Sequence, residues 1–215
     1  MSGFQVQIID NRSQPALMVA MHQLRYRVFK QRLDWEVAVS GGMEIDPFDI
    51  VDPVYLAVLD RQENLVGATR LLPTQGPNML ADTFPMLLHG APMPCGPDIW
   101  EVSRLCVDTE AASTLAEGGL RMATHTLVTA IGEWGHAAGV TRFVCATDLY
   151  IERILRRAGC RVSRLGAPMR IGKAMSVACN LEVCADAVAE TRRAAGFQPG
   201  YSIWVEGPQP ARRRA

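Results

Sequence analysis

Residues 99–107 read Ile99-Trp100-Glu101-Val102-Ser103-Arg104-Leu105-Cys106-Val107. Most of these residue types favour an extended chain, so the stretch predicts a buried β-strand. It nevertheless carries a carboxylate, Glu101, and a guanidinium, Arg104, a few positions later. Charged side chains are costly to bury unless they have a partner or a chemical role. We therefore predict that this strand forms the floor of an active site.

The segment after this strand predicts a strand, a loop and then a helix. Asp108-Thr109 and a stretch of small residues containing Gly118-Gly119 lead into a helical pattern over 112–139, as one helix or two. A helix start of this kind can offer backbone N–H groups to an anionic ligand. Farther along, hydrophobic periodicity predicts strands at 142–147, 161–165 and 173–183 and helices at 149–158 and 185–195.

The residues before the strand predict an antiparallel half. Residues 4–9 are a candidate first strand, and a helix begins at Pro15 with Ser13 as a candidate cap. The apolar runs 54–59 and 65–72 predict a hairpin around a short polar loop. Residues 76–97 contain several prolines and predict at most a short helix at 84–88.

The order of these elements decides the fold class. Antiparallel strands followed by alternating strands and helices favour an α/β (α+β) fold, an αβα sandwich with a mixed, partly antiparallel sheet. A chain of 215 residues that is 48% hydrophobic suits one core, so we expect a single domain over 1–207. The polar tail 208–215 is expected to be frayed.

Alternation along the central strand creates a difficulty for the predicted site. A regular strand places Glu101 and Ser103 on one face and Arg104 on the other. Both charges can serve one site only if an extra residue shifts the register. We therefore predict a β-bulge at residues 102–103.

Composition restricts the classes of partner. Lys plus Arg and Asp plus Glu both total 22, which argues against a nucleic-acid binder. The six cysteines include no CxxC pair, and we expect reduced thiols and a cytoplasmic protein. No window approaches the roughly 18 apolar residues of a membrane span, so no membrane partner is expected.

Hydrophobic periodicity lapses between Trp35 and Asp52, where acids alternate with apolar and aromatic side chains. Carboxylates and aromatic faces both attract cations, so this loop is a candidate binding site for a cationic ligand. The alternative is an ordinary solvated loop. Arg25 lies on the shoulder of a helix and Arg70 interrupts an apolar strand. Solvated or structurally paired arginines are the alternatives to a binding role at these two positions.

Taken in order, these residues resemble a known family. The set comprises Arg25-x3-Phe29-x5-Trp35, Asp46-x2-Asp49, Arg70, Phe84 and Glu101-x2-Arg104 within Trp-Glu-Val-Ser-Arg. It is similar, over about residues 20–165, to the acyl-homoserine lactone synthases, the LuxI-type autoinducer synthases. The resemblance implies a GNAT-like fold and two substrates, S-adenosylmethionine and an acyl thioester of acyl carrier protein or coenzyme A. It implies no tightly bound cofactor and no metal.

The resemblance also implies the chemistry and the residues that perform it. The amine of S-adenosylmethionine is acylated, and its carboxylate then closes a lactone with release of 5′-methylthioadenosine. An amine must lose a proton to attack a thioester, which makes Glu101 the candidate base. Backbone amides of 102–105 are the candidate oxyanion donors, and Ser103 among them is the second catalytic candidate. The implied S-adenosylmethionine pocket is Arg25, Phe29, Trp35, Asp46, Asp49, Arg70, Phe84 and Arg104, and the predicted thioester cleft is Met79, Leu105, Cys145, Ala146 and Thr147.

Two departures from the family pattern stand in the sequence. The loop 116–121 has two glycines and an arginine but also an acid, where GNAT phosphate loops are usually basic and glycine-rich. Leu105-Cys106 follows the central arginine where many family members carry an aromatic. The rival interpretations are a GNAT acyltransferase that acts on another amine and a binding module without catalysis.

A local excess of positive charge bears on the acyl donor. Residues 152–173 contain seven basic side chains and the single acid Glu152 in a chain of zero net charge. We define the donor patch as Arg153, Arg156 and Arg157. It predicts an anionic donor without choosing between acyl carrier protein and coenzyme A, and a solvated helix face is the alternative.

Overall fold

The structure is a computed structural model that describes residues 3–111 and 120–205. A large mixed sheet and a separate two-stranded hairpin contain all strands of these residues. The strands are β1 Gln5–Ile9, β2 Val39–Ser40, β3 Met43–Glu44, β4 Val54–Leu59, β5 Leu65–Pro73, β6 Ile99–Val107, β7 Arg142–Asp148, β8 Val162–Arg164, β9 Met169–Ile171 and β10 Ala174–Glu182.

The strand order in the large sheet is β1-β4-β5-β6-β7-β10-β8, with β9 also paired to β10. Within it, β6 and β7 are parallel neighbours, and the other pairs are antiparallel. The β6–β7 pairing covers only Ile99–Glu101 against Arg142–Val144. Both strands continue beyond this point without pairing to each other, so the sheet opens into a cleft at its centre.

Helices cover both faces of the sheet, as the αβα prediction requires. They are α1 Pro15–Arg25, a π-helical segment Tyr26–Arg32, a 3₁₀ turn Pro47–Asp49, α2 Met79–Asp82, a 3₁₀ turn Pro85–Leu88, α3 Met122–Ala138, α4 Leu149–Arg157 and α5 Ala185–Ala194. One apolar core joins α3 and α4 to one face of the sheet. On the other face, α1 and α2 cover two separate clusters, and the predicted site lies between them.

Most of the predicted elements are confirmed. The central strand has the predicted bounds, and the hairpin of β4 and β5 encloses residues 60–64. The α2 helix and β9 fall in segments where the sequence predicted no such element, because each is too short to show a period. No helix of the described residues is long and apolar enough to cross a bilayer.

The predicted cap of the helix α1 and the predicted start of α3 differ from those in the structure. The Ser13 cap is wrong, because Gln14 occupies the cap position without a side-chain bond and the Ser13 hydroxyl donates to Asp10 instead. The helical pattern that begins at 112 yields α3 from Met122 onward. Residues 112–119 and the tail 208–215, with their predictions, lie outside the described residues.

Candidate active site

A bulge in β6 brings its charges to one face, as predicted, but at a different residue. The register with β5 shifts between Ala68↔Cys106 and Arg70↔Ser103, so Arg104 and Leu105 lie opposite Thr69. Arg104 takes the left-handed conformation with φ 52°, which side chains other than glycine rarely adopt. Ser103 and Arg104 therefore both face the α1 side. The prediction of a bulge at 102–103 is corrected to 104–105.

Three arginines and three carboxylates form a buried ion cluster on this face. Arg25 donates from Nε to Glu44 at 2.5 Å and forms a two-pronged bond to Asp49 at 2.7 and 3.0 Å. Arg70 donates to Asp46 at 2.6 and 3.1 Å and to Asp49 at 2.8 Å. Arg104 donates from Nη2 to Glu44 at 3.0 Å and to Asp46 at 2.6 Å. We call these six residues the buried ion cluster.

The acids reach the cluster because the acidic loop is folded rather than solvated. The β2–β3 hairpin carries Glu44 inward, where it is fully buried. Asp46 and Asp49 then form a capping box at the start of the 3₁₀ turn, in which Asp46 accepts the Phe48 N–H and Asp49 accepts the Asp46 N–H. Formal charges in the cluster balance, which is the condition under which buried charges are tolerated.

Asp49 is the hub of the cluster. Besides Arg25 and Arg70, it accepts the Tyr55 hydroxyl at 2.5 Å and the Asp46 N–H at 2.8 Å. Burial raises the pKa of Asp49, but the bonds and charges of Arg25 and Arg70 outweigh burial and hold that pKa well below its usual range. Asp49 therefore stays ionised and fully engaged with protein donors.

Aromatic rings lie against the exposed side of the cluster. Phe29 and Trp35 stack with ring centroids 5.3 Å apart, and the Arg104 guanidinium lies 5.7 Å from the Phe29 centroid. Phe48 covers Arg70 in the same way at 5.5 Å. Trp35 remains 38% exposed, so its ring is available to a ligand. Phe84 packs instead against the apolar cluster that contains Leu80.

Glu101 occupies the floor between the ion cluster and the cleft. Its carboxylate accepts the N–H groups of Met79 at 3.0 Å and Leu80 at 2.6 Å, and the residue is 1% exposed. Burial raises the pKa of Glu101, and the two N–H bonds oppose that rise without cancelling it. A buried carboxylate with a raised pKa is suited to accept a proton near neutral pH.

Ser103 lies beside Glu101 on the same strand and faces the ion cluster. Its hydroxyl accepts the Arg70 Nε–H at 3.1 Å, while its carbonyl accepts the Thr69 hydroxyl at 3.0 Å. The Ser103 side chain thus holds the Nε of Arg70, whose other two nitrogens bond carboxylates. A catalytic role of Ser103 stays a prediction.

The predicted thioester cleft falls on both sides of the opened sheet. Leu105 and Cys145 pack toward α3 and α4. Ala146 packs on the opposite face, and Thr147 pairs with Val177. Met79 lies on the side of the ion cluster, with its Sδ 2.9 Å from Arg104 Nη1. Because β6 and β7 separate after Glu101, an acyl chain that lies between these strands contacts residues on both faces of the sheet.

The donor patch lies on α4 and is partly neutralised. Arg156 donates to Glu152 at 3.0 Å, and Arg164 of β8 donates to the same carboxylate at 2.7 Å. Arg153 is exposed and donates to the Leu149 carbonyl of its own helix. Arg157 is also exposed. The patch is therefore less basic than its sequence indicates, and within the described residues Arg153 bonds a backbone carbonyl rather than a carboxylate.

The site contains residues that the sequence prediction left out. Glu44 and Phe48 contact arginines of the cluster, and the Tyr55 hydroxyl donates to Asp49. Glu44 and Phe48 belong to the acidic loop that the sequence singled out, so their signal was present. Tyr55 resembled an ordinary strand residue, and only its contact with Asp49, six positions earlier, reveals it.

Comparisons with known proteins identify the family of this chain. A family model described as autoinducer synthase matches residues 10–191. A probable acyl-homoserine-lactone synthase of Sinorhizobium fredii is 41% identical over 184 residues, which is 86% of this chain and 88% of that protein. The crystal structure of the AHL synthase LasI superposes with a TM-score of 0.76 at 34% identity, covering 91% of this chain and 95% of that one.

A further solved structure is similar over nearly the whole chain. It is a coenzyme A-dependent acyl-homoserine lactone synthase, BjaI, with SAM and isopentyl-CoA, and it superposes with a TM-score of 0.82 at 26% identity. The match covers 96% of this chain and 95% of that one. Together with the mixed sheet, these neighbours confirm the predicted GNAT-like fold.

Proposed function

The chain belongs to the autoinducer synthase family, and we propose that its buried ion cluster and Glu101 divide the work of making an acyl-homoserine lactone. The substrates are S-adenosylmethionine and an acyl thioester. The observation that carries this proposal is the placement of Glu101, a buried carboxylate of raised pKa, where β6 and β7 separate.

Hydrogen-bond capacity assigns different roles to the three arginines. Arg25 and Arg70 are fully buried, and all their nitrogens donate to carboxylates or to Ser103. Arg104 is partly exposed, and among the residues at 3–111 and 120–205 its Nη1 donates only to a thioether, a weak acceptor. We assign the carboxylate of S-adenosylmethionine to Arg104 and a positioning role to the other two arginines. The Phe29–Trp35 stack suits the adenine and the sulfonium.

Acylation then follows from the position of Glu101. The α-amine passes a proton to the Glu101 carboxylate, directly or through one water, and attacks the thioester carbonyl carbon. Backbone N–H groups of β6 beyond the parallel pairing are available to the oxyanion, which collapses with loss of the thiolate. The amide product keeps its carboxylate on Arg104.

Lactone closure is the second step. The carboxylate oxygen attacks the γ-carbon of the same molecule, the carbon–sulfur bond breaks, and its electron pair neutralises the sulfonium as 5′-methylthioadenosine leaves. No external acid or base is needed, because the attacking group is an anion and the leaving group is neutral. The enzyme contributes orientation, which is the effect of holding two reacting atoms in contact.

The donor is carried by acyl carrier protein or coenzyme A, and both are anionic. The donor patch supports either carrier, because exposed guanidiniums beside the cleft attract phosphates and acidic protein surfaces alike. We place the reaction in the cytoplasm, consistent with six cysteines that form no disulfide.

The test uses purified protein with S-adenosylmethionine and matched thioesters of acyl carrier protein and coenzyme A. Mass spectrometry should detect a lactone and methylthioadenosine in equal amounts. Acylation of another amine without methylthioadenosine would identify a plain GNAT acyltransferase. Binding of S-adenosylmethionine without turnover by any thioester would identify a binding module and overturn the proposal.

A further inference from the structure

Met79 contacts both ends of the proposed acceptor site. Its side-chain Sδ lies 2.9 Å from Arg104 Nη1, and its backbone N–H donates to Glu101 Oε2 at 3.0 Å. The residue is 7% exposed and opens α2, with Asn78 as the cap. One residue therefore joins the guanidinium assigned to the substrate carboxylate to the carboxylate assigned as base.

The contact with Arg104 occupies the donor that a substrate needs. Arg104 Nε and Nη2 donate to Glu44 and Asp46, which leaves Nη1 with the sulfur. A thioether accepts hydrogen bonds weakly, whereas a carboxylate accepts them strongly from a guanidinium. A substrate carboxylate thus outcompetes the sulfur for Nη1 and displaces the side chain.

The contact with Glu101 links that displacement to the base. Leu80 anchors α2 in an apolar cluster, and its N–H gives the second bond to Glu101. Met79 is the first residue of α2, so its movement alters the hydrogen bond from its N–H to Glu101 while Leu80 stays in place. A carboxylate that loses an N–H donor becomes a stronger base.

We propose that Met79 is a positioning residue that couples binding of S-adenosylmethionine at Arg104 to activation of Glu101. In the free enzyme the thioether satisfies Arg104 and the N–H holds the base. When the substrate carboxylate displaces the sulfur, the N–H bond to Glu101 loosens. The inference rests on the proposed roles of Arg104 and Glu101, and it adds a residue that acts through both.

The first test separates the side chain from the backbone. Met79→Leu keeps the apolar volume but removes the acceptor, so Arg104 Nη1 has no partner in the free enzyme. We expect S-adenosylmethionine to bind about threefold tighter to this variant in calorimetric titration. Met86→Leu, at a methionine that is 46% exposed, is the control and should leave the affinity unchanged. Unchanged or weaker binding in Met79→Leu would overturn the displacement, and this titration needs no turnover.

The second test addresses the N–H bond. Met79→Ala retains the N–H and Met79→Pro lacks it, at the first helical position, where proline is tolerated. The acid limb of the acylation rate should lie at higher pH in the proline variant than in the alanine variant. In the wild-type enzyme, the same limb should lie at higher pH for kcat than for kcat/KM of S-adenosylmethionine. If the acid limbs lie at the same pH in both comparisons, the coupling is overturned. The lactone assay on the wild-type enzyme tests the proposed function separately.

Discussion

Two groups of three arginines and three carboxylates differ in almost every physical property except composition. The buried ion cluster has side chains between 0% and 12% exposed. The second group, which we call the surface ion cluster, has arginines between 37% and 47% exposed. It consists of two networks, Arg156 and Arg164 around Glu152, and Glu182 and Glu190 around Arg161.

The comparison shows what burial does to the same chemistry. Charges in the buried ion cluster interact in a medium of low dielectric constant, where an unpaired charge is expensive and geometry is fixed. The arginines of the surface ion cluster are exposed to water and salt, so each of their pairs contributes little, although the Glu152 carboxylate itself is only 3% exposed. The first arrangement can orient a substrate, whereas the second is suited to long-range attraction of a partner.

Removal of one carboxylate charge from each group should give the largest difference between them, in the free energy of unfolding. Glu44→Gln removes the charge between Arg25 and Arg104, and we expect the free energy of unfolding to fall by about 3–5 kcal/mol. Glu190→Gln, which removes a partner of the exposed Arg161, is the matched variant and should change stability far less. Urea unfolding measures both. Equal losses in the two variants would show that burial does not distinguish the groups.

The next effect concerns Glu101, whose buried carboxylate bonds no guanidinium of the described residues. Glu101→Gln keeps the size and removes the basicity, and we expect the acylation rate to fall about 10²-fold. Binding of S-adenosylmethionine should persist, because the ion cluster is intact. A variant that retains half of the wild-type rate would exclude Glu101 as the base.

The pH dependence of acylation follows from the same residue. Burial raises the pKa of Glu101, and the folded enzyme therefore protonates it at a pH above the ordinary glutamate value of about 4.3. Since the base acts as a carboxylate, the acylation rate should fall as the pH drops through this raised pKa. A rate measured between pH 4 and 8 that shows no acid limb above the ordinary glutamate range would contradict the assignment.

Trp35 tests the exposed side of the buried ion cluster. Trp35→Ala should weaken S-adenosylmethionine binding by about 1–3 kcal/mol, because the stacked ring beside Arg104 is lost. The affinity for the acyl donor should change less, since Trp35 stacks on Phe29 beside Arg104 and not on α4. Phe29→Ala removes the inner ring of the stack and should act in the same direction with an added loss of stability, as Phe29 is buried. Calorimetry that finds the S-adenosylmethionine affinity intact in both variants would remove the stack from the pocket.

The sequence predicted the parts of this site that depend on local pattern. β-propensity and alternation gave the bounds of β6, and the need to bring Glu101 and Arg104 together required a bulge. Its position depends on pairing with β5, where Thr69 lies opposite the extra residue, and no local pattern encodes that contact. Adjacent alternatives such as 102–103 and 104–105 therefore could not be separated.

Residues that act through distant partners were the ones that sequence reasoning left out or misplaced. Glu44 is defined by Arg25 and Arg104, which lie 19 and 60 positions away. Met79 was assigned to the thioester cleft, whereas the structure places it between Arg104 and Glu101. The donor patch seemed strongly basic because the sequence does not show that Glu152 bonds both Arg156 and Arg164, and the second contact depends on the packing of β8 against α4.

The smallest expected effect lies on the surface and concerns the donor. Arg153, Arg156 and Arg157 are all exposed on α4, and Arg156 also bonds the carboxylate of Glu152, so we expect Arg156 to add the least to the patch. Charge reversal in the pair Arg153→Glu and Arg157→Glu should raise KM for the true donor several-fold and leave KM for S-adenosylmethionine unchanged. Arg61 is an exposed arginine in the loop between β4 and β5. Arg61→Glu reverses one charge away from the patch, and as the control it should change neither KM value. Adding Arg156→Glu should cost little further donor affinity if Glu152 already neutralises it.

Salt distinguishes the two carriers in this experiment. Docking of acyl carrier protein through many exposed charges should weaken steeply as salt rises past about 0.15 M, where the Debye length is about 8 Å. A coenzyme A pyrophosphate held in a pocket is screened less and should show a shallower dependence. The reversal variant should flatten the salt dependence of the true donor, because the charges that salt screens are no longer attractive. If reversal changes KM for both substrates equally, or for neither, the donor patch has no part in donor binding and the arginines of α4 are solvated surface residues.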